Sequence, residues 1–143
     1  MTEPLTGSDP DPVAGLDAET LAFAHTMFEA ARDGDGQVLA EHVDAGLPVN
    51  LTNDKGDTLL ILAAYHQHPA AVDALLARGV DPGRDNDRGQ TALAAAIFRR
   101  SPGIVAALLD AGADPDAGSP TARETAAFFE LADMAALLPP PAG

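Results

Sequence analysis

The sequence predicts an all-α solenoid of stacked helix-turn-helix units, and three observations lead there. A set of residues recurs at a spacing of 33 through the middle of the chain. Each recurrence carries a proline where a helix would begin and a glycine where it would end. The apolar residues are also small: 46% of the 143 residues are hydrophobic, yet only 4% are aromatic and none is tryptophan. Alanine, leucine, valine and isoleucine in that proportion favour closely spaced helices over a sheet. Internal repetition is weighed first because it decides the architecture.

The period shows in several registers at once. Gly56-Asp57-Thr58 returns as Gly89-Gln90-Thr91, and Leu75-Leu76-Ala77-Arg78-Gly79 returns as Leu108-Leu109-Asp110-Ala111-Gly112. Pro69 and Pro102 keep the same offset, and one further period back from Gly79 falls on Gly46. Within a unit, residues 58–66 read as a short apolar helix and 69–78 as a second one. Proline suits the first helical position because its missing N–H would be unpaired there anyway. His68 and Ser101 fall at the N-cap, where serine is the better cap by chemistry. Gly79 and Gly112 fall where the chain turns left-handed after the second helix. Asp81-Pro82-Gly83 and Asp114-Pro115-Asp116 then lead into an extended finger turn.

These residues resemble the ankyrin repeat, whose pattern runs roughly D-x-x-G-x-T-P-L-H-x-A-A, a turn, a helix ending V-x-x-L-L, and G-A-D. Here it reads Asn53-Asp54-Lys55-Gly56-Asp57-Thr58-Leu59-Leu60-Ile61-Leu62-Ala63-Ala64, with Val72, Leu75, Leu76 and Gly79 behind. The next unit begins Asn86-Asp87-Arg88-Gly89-Gln90-Thr91-Ala92-Leu93-Ala94-Ala95-Ala96 and continues to Gly112-Ala113-Asp114. The resemblance covers residues 16–138 and implies two full repeats, 53–85 and 86–118, between degenerate capping repeats at 16–52 and 119–138. The first cap should open with a longer helix. The last should place its helices at 121–127 and 134–138, ended by Pro139-Pro140-Pro141. An acidic disordered tail is expected over 1–15 and a proline-rich tail over 139–143. The histidine of the family tetrapeptide is Ile61 in one unit and Ala94 in the other. The inter-repeat hydrogen bonds it makes in the family must therefore be absent or replaced.

Charge narrows the function. The formal net charge is −14 and the isoelectric point about 4.2. That field repels nucleic acid and anionic membranes and favours basic partners. The absence of cysteine excludes disulfides and thiolate chemistry. Neither a basic, apolar leader nor a membrane-length apolar run is present, so a cytoplasmic protein is expected. Lys55 is the only lysine amid abundant Ala, Gly, Asp, Arg and Pro, a bias that fits a GC-rich bacterial genome.

No phosphate loop, H-E-x-x-H or Gly-x-Ser-x-Gly motif occurs, and neither metal nor cofactor is expected. His66 and His68 stand two apart, whereas two ligands on one helix face need four. His42 sits at a core-leucine position and reads as a structural histidine, and the finger-turn aspartates read as turn-formers. Arg99-Arg100 end a helix, where its dipole favours cations.

Overlaying the units aligns Arg32, Tyr65, Phe98 and Phe128. In ankyrin repeats this position faces the concave groove, so the last three would form an aromatic ladder there. Each exposed ring would forgo about 1.5–3 kcal/mol of burial, so the row is either auxiliary core or a binding surface. The leading expectation is a non-catalytic protein-interaction module, monomeric or weakly dimeric. Its contacts would be the finger residues Asp54, Lys55, Asp57, Asp87, Arg88 and Gln90 and the groove residues Tyr65, His66, Phe98, Arg99, Arg100 and Phe128. The partner would be a basic protein or one offering an apolar helix. The alternative is a small-molecule enzyme of lyase or cyclase type acting on a hydrophobic ligand in the same groove. There His66 would be the acid or base, Asp57 would orient it, and Arg99 would stabilise an anion.

Overall fold

The computed structural model describes residues 18–141. The acidic tail expected over 1–15 and the last two residues of the proline-rich tail lie outside the described residues. Among the described residues the chain forms eight helices and no strand: α1 (Ala18–Asp33), α2 (Gly36–Asp44), α3 (Leu59–Tyr65), α4 (Pro69–Leu76), α5 (Ala92–Phe98), α6 (Pro102–Asp110), α7 (Ala122–Phe128) and α8 (Ala132–Ala135). Successive helices pair as α1/α2, α3/α4, α5/α6 and α7/α8, and the pairs stack. One layer runs α1, α3, α5, α7, and a second runs α2, α4, α6 behind it. This is an all-α repeat solenoid.

The two inner helices of the first layer, α3 and α5, are apolar almost all round because their neighbours cover them. All residues of α3 from Leu59 to Ala64 are buried, as are those of α5 from Ala92 to Ile97. Ala63, Ala64, Ala95 and Ala96 are fully inaccessible, and their small side chains let neighbouring helices close up. Leu59, Leu75, Leu93 and Leu108 fill the space between layers, each contributing about 1.5–3 kcal/mol by burial. Threonine starts each short helix: the Oγ1 atoms of Thr58, Thr91 and Thr121 accept from the N–H three residues on, at 3.0, 3.1 and 3.0 Å. At Thr121 the Glu124 carboxylate also accepts from the Thr121 N–H at 2.9 Å, a reciprocal capping box.

Some boundaries differ from the expected ones. Thr58 and His66 are caps of α3 and not members of it, and α4 ends at Leu76, before Arg78. Ser101 and His68 do occupy the N-cap positions of α6 and α4, but neither side chain makes a capping hydrogen bond. Their backbones lie near φ −110° with ψ 83–86°, away from the extended conformation of Thr58 and Thr91, and proline stands next in both helices. The His68 ring points elsewhere, its Nε2 lying 2.7 Å from the Arg32 carbonyl oxygen. The last helix begins at Ala132, two residues before the expected 134, because the Leu131 N–H closes the preceding turn onto the Ala126 carbonyl at 2.8 Å. Looser turns then carry the chain to Leu138, which is buried.

The finger turns are organised by two buried asparagines. Asn53 Oδ1 accepts from the N–H groups of Lys55 and Asp57, both at 2.9 Å. Asn86 Oδ1 accepts from Arg88 and Gln90 in the same way, at 2.9 and 3.0 Å. The Asp87 N–H donates to the Lys55 carbonyl at 3.0 Å, and the Asn86 amide donates to Asp57 Oδ1 at 2.8 Å. The last two bonds join neighbouring units.

Candidate binding groove

Helices α3, α5 and α7, the turns after α3 and α7 and the finger turns border a groove of about 450 Å3. Ile61, Leu62 and Ala94 form its floor, and Tyr65, Phe98 and Phe129 form its aromatic wall. Asp57, Arg88 and Gln90 close the finger side, with His66 at the opposite rim.

Tyr65 and Phe98 are the last residues of α3 and α5, so the 33-residue repeat sets them side by side. Their ring centroids are 6.4 Å apart with planes only 7° from parallel. The next ring is Phe129, which meets Phe98 edge-on at 5.1 Å. Phe128, which the sequence places third in the ladder, touches Phe129 at 4.9 Å but is 78% exposed and does not line the groove. The unit containing α7 is three residues shorter ahead of its helix, and the ring that meets Phe98 there comes from the C-cap. The ladder is therefore Tyr65–Phe98–Phe129, with Phe128 outside it. It is not auxiliary core: Phe98 and Phe129 remain 40% and 48% exposed.

Arg99 caps α5 and lays its guanidinium over the Tyr65 ring, 5.1 Å from the centroid. Arg100, in contrast, has a left-handed backbone (φ 57°) and donates to Asp133 at 2.6 Å, away from the groove. Gln67 occupies the equivalent left-handed turn position one unit earlier (φ 66°), and its amide donates to the Arg99 carbonyl at 2.8 Å. The His66 ring stands edge-on to Tyr65 at 5.2 Å. Its pKa is held below the ordinary histidine value, first by partial desolvation and then by the positive charges of His68, Arg32 and Arg99. Asp33 opposes them.

Asp54, Lys55, Asp87 and Arg88 are exposed on the finger tips, whereas Gln90 is half-buried and Asp57 is buried. Asp57 and His66 share the groove, but the Asp57 carboxylate is hydrogen-bonded to Asn86, and among the described residues no hydrogen bond joins it to His66. His42 is half-buried, with Nδ1 2.8 Å from the Val38 carbonyl and its ring against Phe23, a structural setting. Three contributors were not singled out in the sequence: Phe129, Gln67 and Asn86. Phe129 was detectable as an aromatic doublet in a shortened unit. Asn53 and Asn86 stood at the start of each repeat, the position of the family's aspartate.

A family model for ankyrin repeats, in three copies, matches residues 27–119. The chain belongs to the ankyrin-repeat family. An ankyrin repeat protein of Pseudomonas aeruginosa is 51% identical over 57 residues. That stretch is 40% of this ankyrin-repeat chain and 33% of the Pseudomonas protein, so the match spans about a third of the relative's length. Among the described residues, no helix is long and apolar enough to cross a membrane. Ankyrin repeats generally serve as protein-interaction modules, and two of this one's exposed rings, Phe98 and Phe129, line the groove.

Proposed function

We propose that this chain is a non-catalytic, cytoplasmic interaction module that takes a segment of a partner protein into the groove, with the finger tips making secondary contacts. The observation that carries this reading is the ladder of half-buried Tyr65 and exposed Phe98 and Phe129, with the Arg99 guanidinium over its first ring. Aromatic and arginine side chains are the usual anchors of protein interfaces, because they bury a large area while losing few rotamers. The lyase-type alternative needs Asp57 to orient His66. The engagement of Asp57 by Asn86 supports binding over catalysis.

The test replaces Tyr65 and Phe98 together with alanine and compares this variant with wild type in pull-downs from bacterial lysate, analysed for proteins and small molecules. Loss of a stoichiometric protein with the helical spectrum unchanged is expected. Equal retention by both would sink the groove assignment. Retention of a small molecule alone, turned over by wild type but not by His66→Ala, would transfer the reading to the enzyme.

A further inference from the structure

We infer that the groove's occupant is an acidic segment of the partner, with an apolar or aromatic side chain on the Tyr65–Phe98–Phe129 wall and its carboxylates at the helix-turn rim. This rests on the binding reading above and fixes the partner's chemistry, reversing the basic partner that the net charge alone suggests. The argument starts from how the few cations are used. The chain has 8 lysines and arginines against 22 aspartates and glutamates. Arg78, Arg84, Arg100 and Arg123 pair with Asp44, Asp81, Asp133 and Asp116 at 3.0, 3.9, 2.6 and 2.8 Å. Arg32, Lys55, Arg88 and Arg99 form no ion pair with a described carboxylate, although acidic residues outnumber basic ones. Arg88 lines the groove, Lys55 is exposed on the neighbouring finger tip, Arg99 lies over the wall residue Tyr65, and Arg32 lies near enough to His66 for its charge to act on that ring.

At the tips, Asp54 and Asp87 stand beside Lys55 and Arg88 in sequence and offset them. The opposite rim is different. Arg32 ends α1, the His68 ring bonds to its carbonyl at 2.7 Å, and His66 and Arg99 follow across Tyr65. Asp33 is the acidic group facing His66 there. The dipoles of α1 and α5 favour cations at these ends, which accounts for arginine at the position but not for its lack of a carboxylate. Arg99 lies over Tyr65 without an ion pair to a described carboxylate, and a guanidinium is the group that takes a carboxylate bidentately. The overall charge of −14 slows an acidic partner's approach, but salt screens that field beyond about 8 Å, so the rim charges decide affinity on contact.

The test measures fluorescence anisotropy of three labelled peptides that share one apolar pattern and differ only in flanking glutamates, lysines or serines. They are titrated with the full chain, its Arg32→Gln/Arg99→Gln variant and its Tyr65→Ala/Phe98→Ala variant, each checked for an unchanged helical spectrum. The glutamate peptide should bind at least about tenfold tighter than the lysine peptide, a preference the arginine variant loses. Tighter binding of the lysine peptide, lost in the aromatic variant, overturns the acidic partner and leaves the groove reading standing. Failure of all three peptides overturns both. Phenylacetate binding as tightly as the glutamate peptide makes the occupant a small acid instead. The full chain carrying Glu3→Gln, Asp9→Asn, Asp11→Asn and Asp17→Asn tests the remaining occupant. A tenfold gain in its peptide affinity would make the chain's own acidic segment the ligand and overturn a separate partner.

Discussion

Replacing Asn86 with alanine should destabilise the protein far more than the same change at Asn53, and the difference is set by one bond. Both side chains are buried, at 6% and 8% exposure, and both Oδ1 atoms accept two backbone N–H groups of a finger turn. Alanine leaves those two donors without their partner, at about 1 kcal/mol each if they stay dry and less where water reaches them. Asn53→Ala should therefore cost about 1–2 kcal/mol. Asn86 additionally donates to the buried Asp57 carboxylate at 2.8 Å, and a hydrogen bond to a charged group contributes about 1.5–3 kcal/mol. Asn86→Ala should cost about 3–4 kcal/mol, a large part of the roughly 5–15 kcal/mol that holds a domain of this kind together. Urea unfolding followed by far-ultraviolet circular dichroism measures both, with the slope checked for loss of cooperativity, since repeat arrays unfold piecewise when a joint weakens. Asp57→Ala supplies the third corner of a double-mutant cycle, in which Asn86→Ala should cost only about 1–2 kcal/mol, that of its two turn bonds, once the carboxylate is gone. Equal losses at Asn53 and Asn86, or additive losses at Asn86 and Asp57, would refute the role given to the inter-unit bond.

Thr58→Ala removes a side-chain cap and should cost about 0.5–2 kcal/mol, whereas Ser101→Ala, at a position whose hydroxyl caps nothing, should stay within about 0.5 kcal/mol; chemical denaturation of each compares them. Gly56 and Gly79 both have left-handed backbones (φ 78° and 83°), but a Cβ at Gly56 would lie 2.8 Å from the Asp87 nitrogen, while at Gly79 it meets nothing within 4 Å. Gly79→Ala should therefore cost only the backbone strain of about 1–2 kcal/mol, and Gly56→Ala clearly more, read as separate shifts in the urea midpoint. His66 should titrate below the ordinary histidine value of about 6.5 in an NMR titration. Because its folded pKa is lowered, the unfolded chain binds more protons just below that value. Its contribution to stability is complete above about pH 6.5 and is lost as the pH falls towards the folded pKa. His66→Gln should flatten this part of the stability profile, and a His66 midpoint at or above about 6.5 would contradict the assignment.

The repeat was legible because its signals are local and periodic. Threonine starts, Pro69 and Pro102, Gly79 and Gly112, and paired leucines are each dictated by helix geometry, and they recur in phase. What the sequence misplaced depends on neighbours. Ser101 is a good cap by type, but the backbone entering α6 keeps its hydroxyl from that role. Phe128 sits in register with Phe98, yet which ring of the doublet faces inward follows from how the shortened unit seats against α5. The groove's aromatic character was visible in Tyr65 and Phe98. Its charge was not, because net charge says nothing about which cations are already paired. Asp57 illustrates the same limit: a turn aspartate by sequence, it is held by an asparagine 29 residues further along.

The Asn86–Asp57 clasp also bears on how such an array can lengthen. The position matching Asp57 one unit later is Gln90, which turns its Oε1 back to the amide of Asn86 at 3.2 Å. The joint beyond it is made instead by the Ser119 N–H on the Gly89 carbonyl at 2.8 Å. Duplicating residues 53–85 in place would set an asparagine against an aspartate at the one new joint as at the existing one, and leave the final joint untouched. Duplicating 86–118 would set that asparagine against Gln90, an amide in place of a carboxylate. The chain thus grows most conservatively by copying its middle towards the front.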